Sequence, residues 1–260
     1  MDHRLRTIVL SLFMLAWVGV NPGLAQTAGE YRQRGLNYRN QGQLPEAIEA
    51  LEQAVALEPA NLSGRVLLGW TLHLAGEENR AAAILEENRH RDPFNLETLN
   101  ALGIVYLVQG KLWAAAGTHT WAGLLKPDNE IAFYNLSLAF QGLALYDWSI
   151  ATAEYASVLE PQNPHPLVAL ALAYDSRSSG LGNASLSTPN AVSPAVDQAP
   201  QAPLQTVLKT ILDQTIALDD RYQDLVFLEH LQEAGFSEAQ IQQVKDIFAW
   251  YLGEQTGISW

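Results

Sequence analysis

The 260-residue chain contains no cysteine. Disulfides, thiol catalysis and cysteine-bound zinc are thereby excluded, as is lipid attachment through an N-terminal cysteine. Basic residues are scarce: 15 Lys and Arg stand against 28 Asp and Glu, a formal net charge of −13. Nucleic-acid binding rests on cations that neutralise phosphates, so no nucleic-acid partner is expected. Anionic membrane surfaces are disfavoured for the same reason. The apolar run Ile8 to Val20 is shorter than the about 20 residues of a spanning helix. It follows His3, Arg4 and Arg6 and gives way to Asn21-Pro22-Gly23, with small residues before Gln26. A positive start, a short apolar stretch and a small-residue exit read as a secretory signal peptide over residues 1–25. An uncleaved anchor is the rival reading. The expectation is an exported chain, periplasmic or, in a photosynthetic bacterium, lumenal, with no membrane insertion after cleavage.

Motifs that carry chemistry are missing as well. There is no G-x-x-x-x-G-K-[ST], no G-x-G-x-x-G and no G-x-S-x-G. The six histidines never fall at i, i+3 or i, i+4, so no helix offers two nitrogens to one metal. No catalytic residue, metal site or cofactor is expected. Glu77-Glu78 and Glu86-Glu87 read as solvated helix surface, and His119 as a packed core residue. The triplets at Asn61, Asn135 and Asn183 match a glycosylation acceptor, but the first two recur with a longer period and are discounted.

That period is what the chain does contain. Pro59, Pro93, Pro127 and Pro161 recur every 34 residues, each in a quartet closed by Asn. Gly35, Gly69 and Gly103 keep the same phase, with Ser137 fourth; so do Gly42, Gly76 and Gly110, with Ala144 fourth. Small residues such as Gly35 and Ala47 let two antiparallel helices approach closely. The second glycine series sits where a turn needs positive φ, and proline ends each unit because it cannot continue a helix. A single unit cannot cover its own apolar face, so neighbours must stack.

With Tyr31, Gly35, Tyr38, Ala47, Ala54 and Pro59, then Leu68-Gly69, Ala81 and Pro93, then Leu102-Gly103, Tyr106, Ala115, Ala122 and Pro127, the chain resembles the tetratricopeptide-repeat (TPR) family. Arg34, Asn88 and His119 depart from that pattern without disturbing its phase. The resemblance implies an all-α, right-handed superhelical solenoid of antiparallel helix pairs, about five repeats plus a C-terminal helical cap. Repeats are expected at 28–61, 62–95, 96–129 and 130–163, with the first helix of a fifth at 164–177. Residues 178–202, rich in Ser, Ala and Pro, read as a disordered insertion. Val207 to Asp220 parallels Ala47 to Pro59 and reads as the second helix of the fifth repeat, a linker between two domains being the rival. Helices from Tyr222 to Ala234 and from Ser237 onward are expected to close 203–260 as the cap, the latter opened by Ser237 and Gln240 as a capping box.

The resemblance also implies a function: a non-catalytic scaffold or assembly factor that holds a protein or peptide in the concave groove. The alternative is an accessory recruiting subunit of a cell-envelope enzyme or secretion complex. Projected onto this sequence, the groove comprises Arg32, Arg39, Asn40, Val66, Trp70, His73, Asn100, Ile104, Leu107, Tyr134, Leu138 and Gln141, with Trp70 as the expected anchor. Burial of Trp70 and Ile104 by neighbouring repeats or by the 178–202 loop is the competing expectation. Leu36, Val66 and Trp70 stand where some family members carry a carboxylate clamp, so that clamp is not supported.

Overall fold

The computed structural model describes residues 27–180 and 203–256. Ten helices lead from the N-terminal end of the described chain: α1 Ala28–Asn40, α2 Leu44–Leu57, α3 Leu62–Leu74, α4 Glu78–Arg91, α5 Leu96–Val108, α6 Leu112–Leu125, α7 Glu130–Gly142, α8 Tyr146–Leu159, α9 His165–Ser178 and α10 Leu204–Leu218. Two 3₁₀ segments follow, Asp220–Gln223 and Phe227–Gln232, and then α11, Glu238–Thr256. No strand occurs among the described residues. Consecutive helices pack as antiparallel pairs, while α3, α5, α7 and α9 lie side by side as the inner layer. The expected insertion and signal segment lie outside the described residues, except that α9 runs on to Ser178.

Each repeat mark has a local cause. Gly42, Gly76 and Gly110 take φ of 74°, 74° and 68° between paired helices. Ala144 holds the fourth such turn at φ 58°, a left-handed conformation that an alanine adopts only with strain. Asn61 and Asn95 cap α3 and α5, their Oδ1 atoms accepting from Gly64 N at 2.9 Å and Thr98 N at 2.8 Å. Thr27 and Glu30 form a reciprocal capping box at the start of α1.

Helix pairs close over the first glycine series. A Cβ on Gly35 or Gly69 would stand 2.6 or 2.8 Å from the Cγ of Leu51 or Leu85, and one on Gly103 would stand 2.4 Å from the His119 ring. The fourth pair reverses the sizes: Ser137 replaces glycine and Ala153, wholly buried, replaces the large partner. The proline turns tie each unit to the next. Pro59, Pro93 and Pro127 carbonyls accept from Arg91 Nη1 at 2.6 Å, Trp121 Nε1 at 3.0 Å and Tyr155 OH at 3.1 Å.

Two departures from the repeat pattern also find their reasons. Asn88 is fully buried where alanine stands in the other repeats. Its Oδ1 accepts from Arg65 Nε at 2.8 Å and its Nδ2 donates to the Leu62 carbonyl at 2.9 Å. Arg65, itself buried, is also bonded to Glu87. Arg34 lies against the Tyr31 ring, 5.1 Å from its centroid, a cation–π contact in place of an apolar one.

The sequence predicted a helix from Tyr222 to Ala234, and this is corrected. Asp219 and Asp224 accept through their carboxylates from Arg221 N and Val226 N, two residues on. Such turns compete with the helical ladder. The segment is held by i→i+3 bonds, such as Ala234 N to Leu231 O, and ends at Gly235 with φ 93°.

Candidate functional site: the inner face

The inner face divides into two halves. In the half toward α9, the chain's own C-terminal segment lies on the first helices. Tyr134 OH donates to the Ala234 carbonyl at 3.3 Å. Gly235 sits so closely that an added Cβ would meet Asn135 Oδ1 at 2.8 Å and approach Leu107 and Ile104 within 3.6 Å. The predicted capping box forms, with Gln240 N donating to Ser237 Oγ at 3.3 Å and Ser237 N to Gln240 Oε1 at 2.9 Å. Gln240 then reaches across, its Nε2 donating to the Leu138 carbonyl at 3.2 Å and to Gln141 Oε1 at 2.8 Å. Gln243 bonds Asp175 and Ser176 of α9 at 2.8 and 2.9 Å. Leu228, Leu231, Phe236 and Phe248 are fully buried beneath these contacts.

Ile104, Leu107, Tyr134 and Leu138 therefore do not line an open groove. They are 0–5% exposed, and Gln141 is half-buried under Gln240. The C-terminal segment supplies cover here, through Ala234, Gly235 and Gln240. Burial pushes the Tyr134 phenol up to about 12. Asn135, beside Tyr134, keeps its Oδ1 buried without a partner. One sequence signal pointed this way. The apolar face of α11 (Ile241, Val244, Ile247, Phe248 and Tyr251) needs a surface to bury it.

Where the C-terminal segment meets the start of α9, tertiary structure pairs two histidines 65 residues apart. His165 Nε2 and His230 Nε2 lie 3.4 Å from one another. The His230 Nδ1 lies 2.6 Å from the Phe227 carbonyl and donates to it, leaving Nε2 as acceptor for Tyr222 OH at 3.3 Å. Asp219 and Arg221 complete the surroundings, the guanidinium lying over the Phe227 ring. Burial, and next the neighbouring His230, hold His165 down to about 4. Burial pushes the Tyr222 phenol upward.

The half toward α1 is open. Val66, Trp70 and Asn100 are half-buried, Arg39 likewise, and Asn40 is exposed. Arg32 is turned to Glu58, donating to Oε2 at 2.6 Å. That carboxylate also accepts from Asn61 at 2.9 Å, and the two bonds hold its pKa below the ordinary value, Asn61 contributing most. Asn100 and Asn129 are bonded side chain to side chain at 3.0 Å. His73 is buried, with its ring 5.0 Å from Trp70 and its Nδ1 2.8 Å from Glu78 Oε1. A cleft of about 600 Å³ opens between Arg39, Asn40, His73 and Glu78, and Gln232 and Glu233 of the C-terminal segment form its far wall. No group of three or more His, Cys, Asp or Glu side chains suited to a metal ion occurs among the described residues.

A family model described as tetratricopeptide repeat matches residues 28–61, the α1–α2 pair and its closing turn. No curated protein sequence matches the chain. Solved structures do resemble it. MamA 41-end from Desulfovibrio magneticus RS-1 is 18% identical with a TM-score of 0.57, covering 76% of this chain and 97% of that one. A second MamA crystal structure is 19% identical with a TM-score of 0.55, covering 76% and 94%. MamA MSR-1 is 21% identical with a TM-score of 0.52, covering 75% and 97%. With the stacked helix pairs described above, these likenesses show the fold, a TPR-like solenoid of consecutive antiparallel helix pairs.

Proposed function

We propose that the chain is a non-catalytic scaffold that binds a polypeptide segment on the open half of its inner face, outside the cytoplasm. The observation that carries this reading is the partly exposed Trp70, whose ring packs on His73 at the cleft wall. It stands beside a cleft of about 600 Å³ on a layer whose other half is already filled by polypeptide. An aromatic anchor beside polar groups is the usual composition of a peptide-binding hot spot. Arg39 on one wall and Glu78 and Glu233 on the others suit a segment of mixed charge with one apolar residue for Trp70. Ile104, Leu107, Tyr134 and Leu138 have no part in this reading.

The test is photocrosslinking in intact cells from a photoreactive residue at position 70, with position 83 on the outer surface of α4 as reference. A polypeptide trapped at 70 and not at 83 supports the scaffold. Capture at 83 alone moves the site to the outer surface, and turnover of a small molecule by the purified chain removes the non-catalytic reading.

A further inference from the structure

The outer surface of α6 is unlike that of α4, the corresponding helix of the preceding repeat. Its exposed positions include Trp113, Ala114, Gly117, Trp121, Leu124 and Leu125, and none of its exposed side chains is charged. The corresponding positions of α4, 34 residues earlier, hold Asn79, Arg80, Ala83, Glu87, His90 and Arg91. There the face is laced with ion pairs, Arg80 to Glu52 and Glu77 and Arg91 to Glu87. The repeat holds the backbone frame nearly constant between the two helices, so the change is in the surface alone. A solvated helix has no reason to expose Trp113 at 66%, Leu124 at 68% and, in the adjoining turn, Phe94 at 62%.

Trp121 is held in place, its Nε1 bonded to the Pro93 carbonyl at 3.0 Å and its ring 5.9 Å from Phe94. Between the tryptophans lies a recess of about 400 Å³, bordered by Ala114, Gly117 and Arg89 and reaching Leu99 and Tyr106. The Gly117 Cα faces open space. Trp113 and Trp121 stand four residues either side of Gly117, so these two rings are symmetric in sequence about that glycine.

The geometry points to a second copy of this chain as the occupant, with two α6 helices crossing antiparallel at Gly117 on a two-fold axis. In that arrangement Trp113 of one copy faces Trp121 of the other, and the reverse, as an isologous interface requires. Absence of a side chain at the crossing lets the helices approach closely. Scaling about 150–250 Å² per aromatic side chain by the exposures above, and adding the two leucines, gives roughly 600 Å² per copy. A pair would then bury about 1,200 Å², the lower end of the range for specific complexes, which fits association in the micromolar range. Each copy carries a net charge of −13, while the exposed side chains of α6 itself are uncharged and Arg89 lines the recess beside them. Screening over about 8 Å at physiological ionic strength means that added salt leaves the dimer intact or strengthens it.

Because the chain has no cysteine, one introduced thiol reports directly. Gly117→Cys places it at the two-fold axis, and Ala83→Cys places it in the same slot of α4. The full-length chain is expected to sediment as a dimer as its concentration is raised through about 1–200 µM. Under mild oxidation the thiol at 117 should cross-link at least about tenfold faster than that at 83, since only the former pair is held adjacent. Trp113→Glu and Leu124→Glu should each give a monomer with unchanged helicity, both side chains being largely exposed. A monomer throughout that range overturns the proposal, as does a dimer indifferent to Trp113→Glu. Capture of lipid vesicles or of another protein by a monomeric chain overturns it too. Crosslinking from position 70 is a separate readout, so failure here leaves the inner-face reading standing.

Discussion

His119 occupies the slot that Leu51 and Leu85 fill in the two preceding repeats, and its ring lies on Gly103 as those leucines lie on Gly35 and Gly69. It is wholly buried, and neither ring nitrogen has a hydrogen-bond partner. Burial holds its pKa down to about 3, against an ordinary value of 6.5. A base with a depressed folded-state pKa is neutral in the fold and charged in the acid-unfolded chain. Its burial is therefore tolerated fully above pH 6.5, and stability is lost as pH falls from there toward about 3. At pH 5 the loss from this one residue is about 2 kcal/mol, being 1.5 pH units at about 1.36 kcal/mol each. His119→Leu restores the residue of the earlier repeats and removes two unpaired polar atoms, worth about 1–2 kcal/mol at pH 7. Urea unfolding of both proteins at pH 7 and pH 5 checks this. The advantage of the leucine variant should widen by about 2 kcal/mol at the lower pH, a difference in which all other titrations cancel. Parallel losses in the two proteins would refute the reasoning, since they would mean that His119 is protonated without cost in the fold.

Asn88→Ala is expected to destabilise by about 2 kcal/mol in the same urea assay, because it leaves the buried Arg65 Nε without its acceptor. Gly235→Ala forces a side chain onto φ 93° and to within 2.8 Å of Asn135 Oδ1. It should cost about 1–3 kcal/mol and raise amide exchange first in residues 220–236. Phe236→Ala removes a fully buried ring from the same segment and should cost about 3–5 kcal/mol, read as a lower melting temperature. Lowering the pH from 7 to 5 should raise amide exchange around His165 and His230, because the depressed His165 pKa favours the closed arrangement above pH 6.5. His165→Gln should remove most of that acid response. Mass spectrometry of the protein from envelope fractions should find Gln26 as the first residue.

The 34-residue period by itself determined the helix pairs, their turns and their order, because glycine, alanine and proline act through neighbours a few residues away. Positive φ at Gly42, Gly76 and Gly110 and the close approach at Gly35, Gly69 and Gly103 are local demands, and local demands are legible in sequence. The capping box at Ser237 was legible for the same reason. The path of residues 220–256 was decided only in three dimensions. Gln240 meets Leu138 and Gln141 about a hundred residues away, and Tyr134 meets Ala234 across the same gap. The His165–His230 pair is likewise invisible to helical spacing. Long-range burial is settled by which apolar faces find each other once the helices exist, and the repeat says nothing about a segment that has left it. Among the described residues, the inner wall that the repeat supplied is thus half filled by the chain's own C-terminal segment, and its half toward α1 stays open.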